Sequence, residues 1–251
     1  LTWEECIERI CDTPLEEGWV IGETAGYHQS TSWYILGELV RRIDGRAFSD
    51  YVREAIFEPL GMSGSSIGMT EAQYEEWSPR IGITYATDKG FAERLPLDER
   101  EFCLMCRPGG SGRGPIRELG LFYEMLLNGG EGNSARLLNP ETVAEFTRPH
   151  RVGQFDETFR HKMDWGLGFI VDSNRYGVQT VPYGYGKRCS PRTFGHGGYQ
   201  STAGFADPEH GLVVAVAFNG TAGEPKHAKR IRDFATAVYE DLGLGADGAP
   251  A

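Results

Sequence analysis

Apolar positions in the first sixty residues recur with helical spacing. Trp3, Ile7 and Ile10 mark a short amphipathic segment, and a loop punctuated by Thr13-Pro14 and Gly18 follows it. Leu36, Leu39, Val40 and Ile43 fall at i, i+3, i+4 and i+7, which predicts an amphipathic helix stopped by Asp44-Gly45. Phe48, Tyr51, Val52, Ala55 and Ile56 share the face of a second helix, which ends at Glu58-Pro59-Leu60-Gly61-Met62. Residues 63–114 are rich in Gly, Ser and Pro and show no period. They include the loop Arg107-Pro108-Gly109-Gly110-Ser111-Gly112-Arg113-Gly114, read as flexible. A helix with Ile116, Leu119, Tyr123 and Leu126 inward comes next, closed by Gly129-Gly130. Asn139-Pro140-Glu141 reads as N-cap, first-turn proline and acidic first turn of a short helix reaching about Phe146.

From Trp165 the texture changes to strands. Leu167-Gly168-Phe169-Ile170-Val171 opens them, and Leu212-Val213-Val214-Ala215-Val216-Ala217-Phe218 is a continuous apolar run, hence a buried strand. A closing helix carries Ile231, Ala235, Val238 and Leu242 on one face. The expectation is an α+β fold: a mainly helical region over 1–163, then an antiparallel sheet with a C-terminal helix over 164–251, as parts of one unit.

With 251 residues, 40% hydrophobic, the chain can bury a substantial core. A net charge of −11 argues against nucleic acid or an anionic membrane as partner. The basic cluster Lys226-His227-Ala228-Lys229-Arg230-Ile231-Arg232 lies on the closing helix and reads as a solvated face. No apolar run reaches membrane-spanning length and no signal peptide is visible. Five cysteines cannot all pair, which suggests a reducing, cytoplasmic setting. The opening Leu1-Thr2-Trp3 has no initiator Met, so the chain is expected to come from within a longer protein, whose targeting segment could precede it.

Several strings invite chemistry and lack its context. Gly64-Ser65-Ser66-Ile67-Gly68 spells a nucleophile elbow, which requires a strand before and a helix after Ser66, and neither is signalled. Cys103-Leu104-Met105-Cys106 has no second ligand pair for zinc. Gly110-Ser111-Gly112-Arg113-Gly114 lacks a phosphate-loop lysine. No metal site and no cofactor are expected. Phe194-Gly195-His196-Gly197-Gly198-Tyr199 is different in kind. Glycines beside a histidine at a strand end let a backbone N–H approach a ligand, the geometry for donating to a carbonyl oxygen. Tyr27 stands on a loop before a helix. As a general base it would need cations and donors to bring its pKa well below ~10.

Taken in order, these segments resemble the serine hydrolases built like class C β-lactamases and DD-peptidases, with their penicillin-binding-protein-like, esterase and transacylase relatives. Tyr27-His28-Gln29 followed by the helix through Leu36-Gly37-Glu38 resembles the family's tyrosine box. Asp44-Gly45-Arg46, Glu58-Pro59-Leu60-Gly61-Met62, Leu126-Leu127-Asn128-Gly129-Gly130, Asn139-Pro140-Glu141 and Trp165-Gly166-Leu167-Gly168-Phe169 are similar to its later landmarks, and His196-Gly197-Gly198 to its third box.

The resemblance implies roles. Tyr27 would be the phenol or phenolate that shuttles the proton of a serine nucleophile. His196 would line the cleft, bonding to Tyr27 or to a substrate carboxylate. Gly197 and Gly198 would allow close approach, with the Tyr199 N–H an oxyanion donor. Gln29 would meet the substrate where many members carry Asn. Histidine in place of lysine tilts the expectation toward ester cleavage or acyl transfer on a small-molecule ester or amide. The family's S-x-x-K nucleophile box does not occur here: no serine stands three positions before any of Lys89, Lys162, Lys187, Lys226 or Lys229. The expected partner is therefore an N-terminal segment of the same protein that carries the box, and the sheet is expected to show an exposed edge and lack a helical neighbour. The alternatives are a degenerate homologue whose cleft is a binding surface, and an α/β-hydrolase using Ser66.

Overall fold

Strand periodicity accounts for the centre of the molecule. In a computed structural model that describes residues 1–245, six antiparallel strands form one sheet in the order β12-β11-β10-β9-β8-β7. They are β7 (Arg151–Asp156), β8 (His161–Trp165), β9 (Ile170–Val171), β10 (Phe194–Gly198), β11 (Thr202–Asp207) and β12 (Leu212–Ala217). Successive β11 residues point to opposite faces. Phe205 packs with Met163, Tyr185, Val214, Ala235 and Tyr239 beneath α8 (Glu224–Asp241). Ala206 packs with Tyr123, Leu126 and Phe194 beneath α6 (Ile116–Leu127). Gly204 belongs to this second face because a Cβ there would lie 2.4 Å from the Tyr123 ring. The sheet is thus the middle layer of a helix–sheet–helix stack, the α+β architecture expected.

The remaining α-helices are α1 (Trp3–Asp12), α2 (Thr31–Asp44), α3 (Phe48–Val52), which runs on as a π-helical turn over Arg53–Phe57, α4 (Glu71–Trp77), α5 (Arg100–Leu104) and α7 (Pro140–Thr147). Short strand pairs stitch the irregular region: β1 (Ser66–Ile67) with β4 (Gly112–Arg113), β2 (Tyr85–Ala86) with β3 (Glu93–Arg94) and β13 (Gly220–Thr221), and β5 (Glu131–Gly132) with β6 (Ala135–Arg136).

Several expectations need correction. The sheet begins at Arg151, ahead of the 163/164 division, because β7 and β8 are polar hairpin strands without an apolar run. Asn139 occupies the N-cap of α7 and Pro140 its first turn, but the Asn139 side chain makes no capping bond; the Asn139 main-chain carbonyl accepts from the N–H groups of Thr142 and Val143 instead. Leu242 lies past the end of α8 and is exposed. The Arg107–Gly114 loop is pinned, since Ser111 Oγ accepts from the Arg107 N–H (2.8 Å) and donates to the Arg107 carbonyl (3.0 Å).

The largest departure concerns α2. Only Gly37 and Glu38 are buried on it, while Leu36, Leu39 and Ile43 are 52, 49 and 84% exposed. Trp3 of α1 packs so close to Gly37 that a Cβ there would sit 2.8 Å from its ring. The Trp3 indole N–H donates to Glu38 at 2.7 Å, and Arg41 and Arg42 clamp the same carboxylate. These three donors hold the Glu38 pKa down to about 2, Arg41 contributing most. The polar face of α2 therefore meets α1, and its apolar stripe faces outward. On the sheet, β12 closes one side of the strand order, so its outer edge has no strand partner among the described residues.

Candidate active site

The β10–β11 hairpin carries the histidine. Its ladder ends at the pair Gly198–Thr202, leaving Tyr199, Gln200 and Ser201 as a three-residue turn. Gln200 adopts a left-handed φ of 44° to close it. The Tyr199 N–H lies one residue beyond the last ladder pair, and the Tyr199 side chain is exposed. Gly197 is required by contact, since a Cβ there would sit 2.3 Å from the Tyr183 ring.

The His196 ring is packed among Tyr27 (centroids 5.4 Å apart), Trp165 (5.9 Å) and Trp33 (6.5 Å). Burial lowers its pKa, opposed by the bond to the Gly197 carbonyl. That bond, 2.7 Å from Nδ1, assigns the proton to Nδ1, and Nε2 is buried with no protein partner. A neutral imidazole in this tautomer offers a lone pair and has no donor left for a substrate carboxylate. No hydrogen bond joins it to Tyr27.

Tyr27 reaches the site through a residue that sequence reasoning missed. Asp156, fully buried at the end of β7, accepts from the Tyr27 N–H (3.2 Å) and from the N–H groups of Thr158 and Phe159 (both 3.0 Å). Arg151 pairs with its other oxygen at 2.6 Å. This anchor holds the Tyr27 ring nearly parallel to Phe159 and Trp165, each with centroids 5.4 Å away. Burial pushes the Tyr27 phenol pKa up, against a bond with Trp33 that lowers it. The phenol is protonated at neutral pH and so has a proton to donate; among the described residues no lysine or arginine lines the cleft.

One cavity of about 640 Å³ brings together Tyr27, Gln29, His196, Gly197, Gly198 and Tyr199. Trp33, Phe159, Tyr183 and Glu224 also line it and were not singled out from the sequence. Pro108 and Gly109 of the pinned loop complete a wall, Gly109 lying so near Trp33 that a Cβ would be 2.4 Å from its ring. Among the described residues no serine lines the cavity. Ser66 is buried away from it in β1, with α3 and irregular turns before it and no strand leading into Gly64 among the described residues, which removes the α/β-hydrolase alternative. Among the described residues no group of three or more His, Cys, Asp or Glu side chains could hold a metal ion. No helix there is long and apolar enough to cross a membrane.

Comparison with known proteins agrees with this architecture. The chain is 25% identical over 228 residues to a protein of Escherichia coli (strain K12) named "Putative D-alanyl-D-alanine carboxypeptidase", covering 86% of this chain and 49% of that protein. It thus spans about half the length of the curated relatives it matches. A penicillin-binding protein homologue from Caulobacter crescentus superposes with a TM-score of 0.71 at 24% identity, over 96% of this chain and 65% of that one. A family VIII carboxylesterase superposes with a TM-score of 0.64 at 23% identity, over 83% and 58%. The model of the beta-lactamase family matches residues 2–237, and the chain belongs to that family.

Proposed function

We propose that this chain forms the tyrosine- and histidine-bearing side of a serine hydrolase cleft that cleaves or transfers acyl groups of small esters through an acyl-serine intermediate. The observation that carries the reading is the cavity itself, whose lining brings the protonated Tyr27, the neutral His196 and Tyr199 of the hairpin turn to one space. The serine and its lysine come from a segment of the same protein outside these 251 residues, and the exposed Leu36, Leu39 and Ile43 stripe on α2 gives it an apolar surface to cover. A lysine ammonium brought beside Tyr27 lowers the phenol pKa and lets it take the serine proton, which it then gives to the departing alcohol. The Tyr199 N–H donates to the developing oxyanion. Five unpaired cysteines fit a reducing compartment, the cytoplasm.

In the full-length protein, Tyr27→Phe should lower kcat for p-nitrophenyl acetate by about 10²- to 10³-fold. Full activity in that variant sinks the mechanism. A serine-reactive phosphonate, mapped by peptide mass spectrometry, should mark a serine outside this chain. The absence of serine from the cavity lining favours a second reading, a cleft that binds without turnover. An unlabelled full-length protein supports it.

A further inference from the structure

The cavity is asymmetric in charge. Among the described residues, Glu224 is the only Asp, Glu, Lys or Arg that lines it. Its carboxylate is held by neutral donors: the Tyr183 hydroxyl at 2.7 Å and the Gln200 side-chain amide at 3.1 Å. It has no ion-pair partner among the described residues, and Arg230, on the same helix, is spent on the carbonyls of Gln200 and Gly220. Glu224 is also the first residue of α8, where the helix dipole favours a negative charge. The carboxylate therefore stands at the cleft without a cationic side chain beside it.

Aromatic rings add to the same preference. Tyr27, Trp33, Phe159 and Tyr183 all line the cavity, and aromatic faces attract cations. His196, neutral and with its proton committed to Gly197, cannot balance an anion.

We propose that Glu224 and these rings make the cleft a receptor for a positively charged substrate end, so that the preferred esters carry an alkylammonium group and esters with a free carboxylate are disfavoured. The proposal rests on the reading of the cavity as the substrate cleft. Glu224 is its specificity residue: it meets the distal charge of the substrate and takes no part in the acyl chemistry.

The test uses three alcohols that the enzyme cannot hydrolyse: choline, its neutral isostere 3,3-dimethylbutan-1-ol, and 4-hydroxybutanoate. Their binding to the full-length protein is followed through the indole resonances of Trp33 and Trp165. Choline should bind about threefold to tenfold tighter than the isostere, and 4-hydroxybutanoate weakest. Glu224→Gln keeps the size of the side chain and one acceptor oxygen and removes the charge; the Tyr183 hydroxyl, which can also accept, can turn to meet the new amide donor. The substitution should bring choline within about twofold of the isostere and leave the isostere unchanged. In the parent protein the choline advantage should also shrink as ionic strength rises, because an exposed carboxylate is screened. Three alcohols that bind without charge order, or an order that Glu224→Gln does not move, overturn the proposal and leave the cleft standing. If none perturbs either indole, the proposal and the reading of the cavity as the substrate cleft fall together.

Discussion

On the sheet side of the cleft, Phe205 and Ala206 of β11 are fully enclosed between α8 and α6, and even a glycine, Gly204, is there to admit the Tyr123 ring. On the helix side, α2 encloses only Gly37 and Glu38 and turns Leu36, Leu39 and Ile43 outward. Both regions place residues at the same cavity, His196 to Tyr199 from one and Tyr27, Gln29 and Trp33 from the other. The first is held by apolar burial on two faces. The second depends on polar anchors, the Asp156 bonds to the Tyr27 loop and the Arg41–Arg42–Trp3 clamp on Glu38. A catalytic surface can therefore be fixed in position without a core of its own beneath it, provided buried carboxylates are fully satisfied.

The contrast can be broken most strongly at Phe205. Phe205→Ala should lower the unfolding free energy by about 3–5 kcal/mol, read from the denaturant midpoint, because the cavity it leaves is enclosed on all sides. A loss near 1 kcal/mol would mean that the sheet side repacks freely and that the two regions are alike.

A medium effect is expected at Asp172, beside β9. Burial raises its pKa to about 6 from 3.8, against a bond from the Cys189 thiol that lowers it. The folded state then binds a proton more readily than the unfolded one, so stability falls as pH rises between those two values. Asp172→Asn should remove a slope worth on the order of 2 kcal/mol across that window. Identical pH profiles for parent and variant would refute it. Asp207 behaves oppositely. Burial raises its pKa, but bonds from Ser190 and Tyr239 outweigh burial and leave it lowered, so its contribution is lost only as pH falls below 3.8.

The smallest effect belongs to α2. With Leu39 exposed, Leu39→Ser should change the stability of this chain by no more than about 0.5 kcal/mol. Repeated in the full-length protein, the same substitution should cost about 2 kcal/mol if a further segment covers the stripe. Equal small values in both settings would leave the stripe uncovered.

Helices α6 and α8 and the strand β12 were legible in the sequence because burial on one face, or on both, leaves an apolar pattern, whereas α4 and α5 lie in the stretch where no period shows. The hairpin at His196 was legible because a close approach demands glycine. The outward turn of α2 was not, since a period of 3.6 says that one face is apolar and says nothing of what lies against it. Glu38 illustrates the gap: a glutamate between Gly37 and Leu39 gives no sign that it is the buried residue, because its partners Trp3, Arg41 and Arg42 are assembled only by folding. β7 and β8 were missed for a related reason. Arg151, Gln154 and Asp156 form no apolar run, and Asp156 is buried by the backbone donors it gathers. Trp33, Phe159, Tyr183 and Glu224 carry no motif and meet only through folding, from positions as far apart as 33 and 224.

The turn at Gln200 ties the hairpin to α8. Its side-chain carbonyl accepts from the Gly223 N–H at 2.8 Å while its amide donates to Glu224, and Arg230 reaches back to its main-chain carbonyl. The N–H of Tyr199 and the carboxylate of Glu224 thus ride on one rigid splice, one residue away from it on either strand of the connection. Under the proposed mechanism, reshaping this wall to accept a different substrate would therefore also re-aim the Tyr199 N–H. On that reading, choosing a substrate and speeding its reaction would be inherited together, and selection or engineering that alters one would be felt in the other.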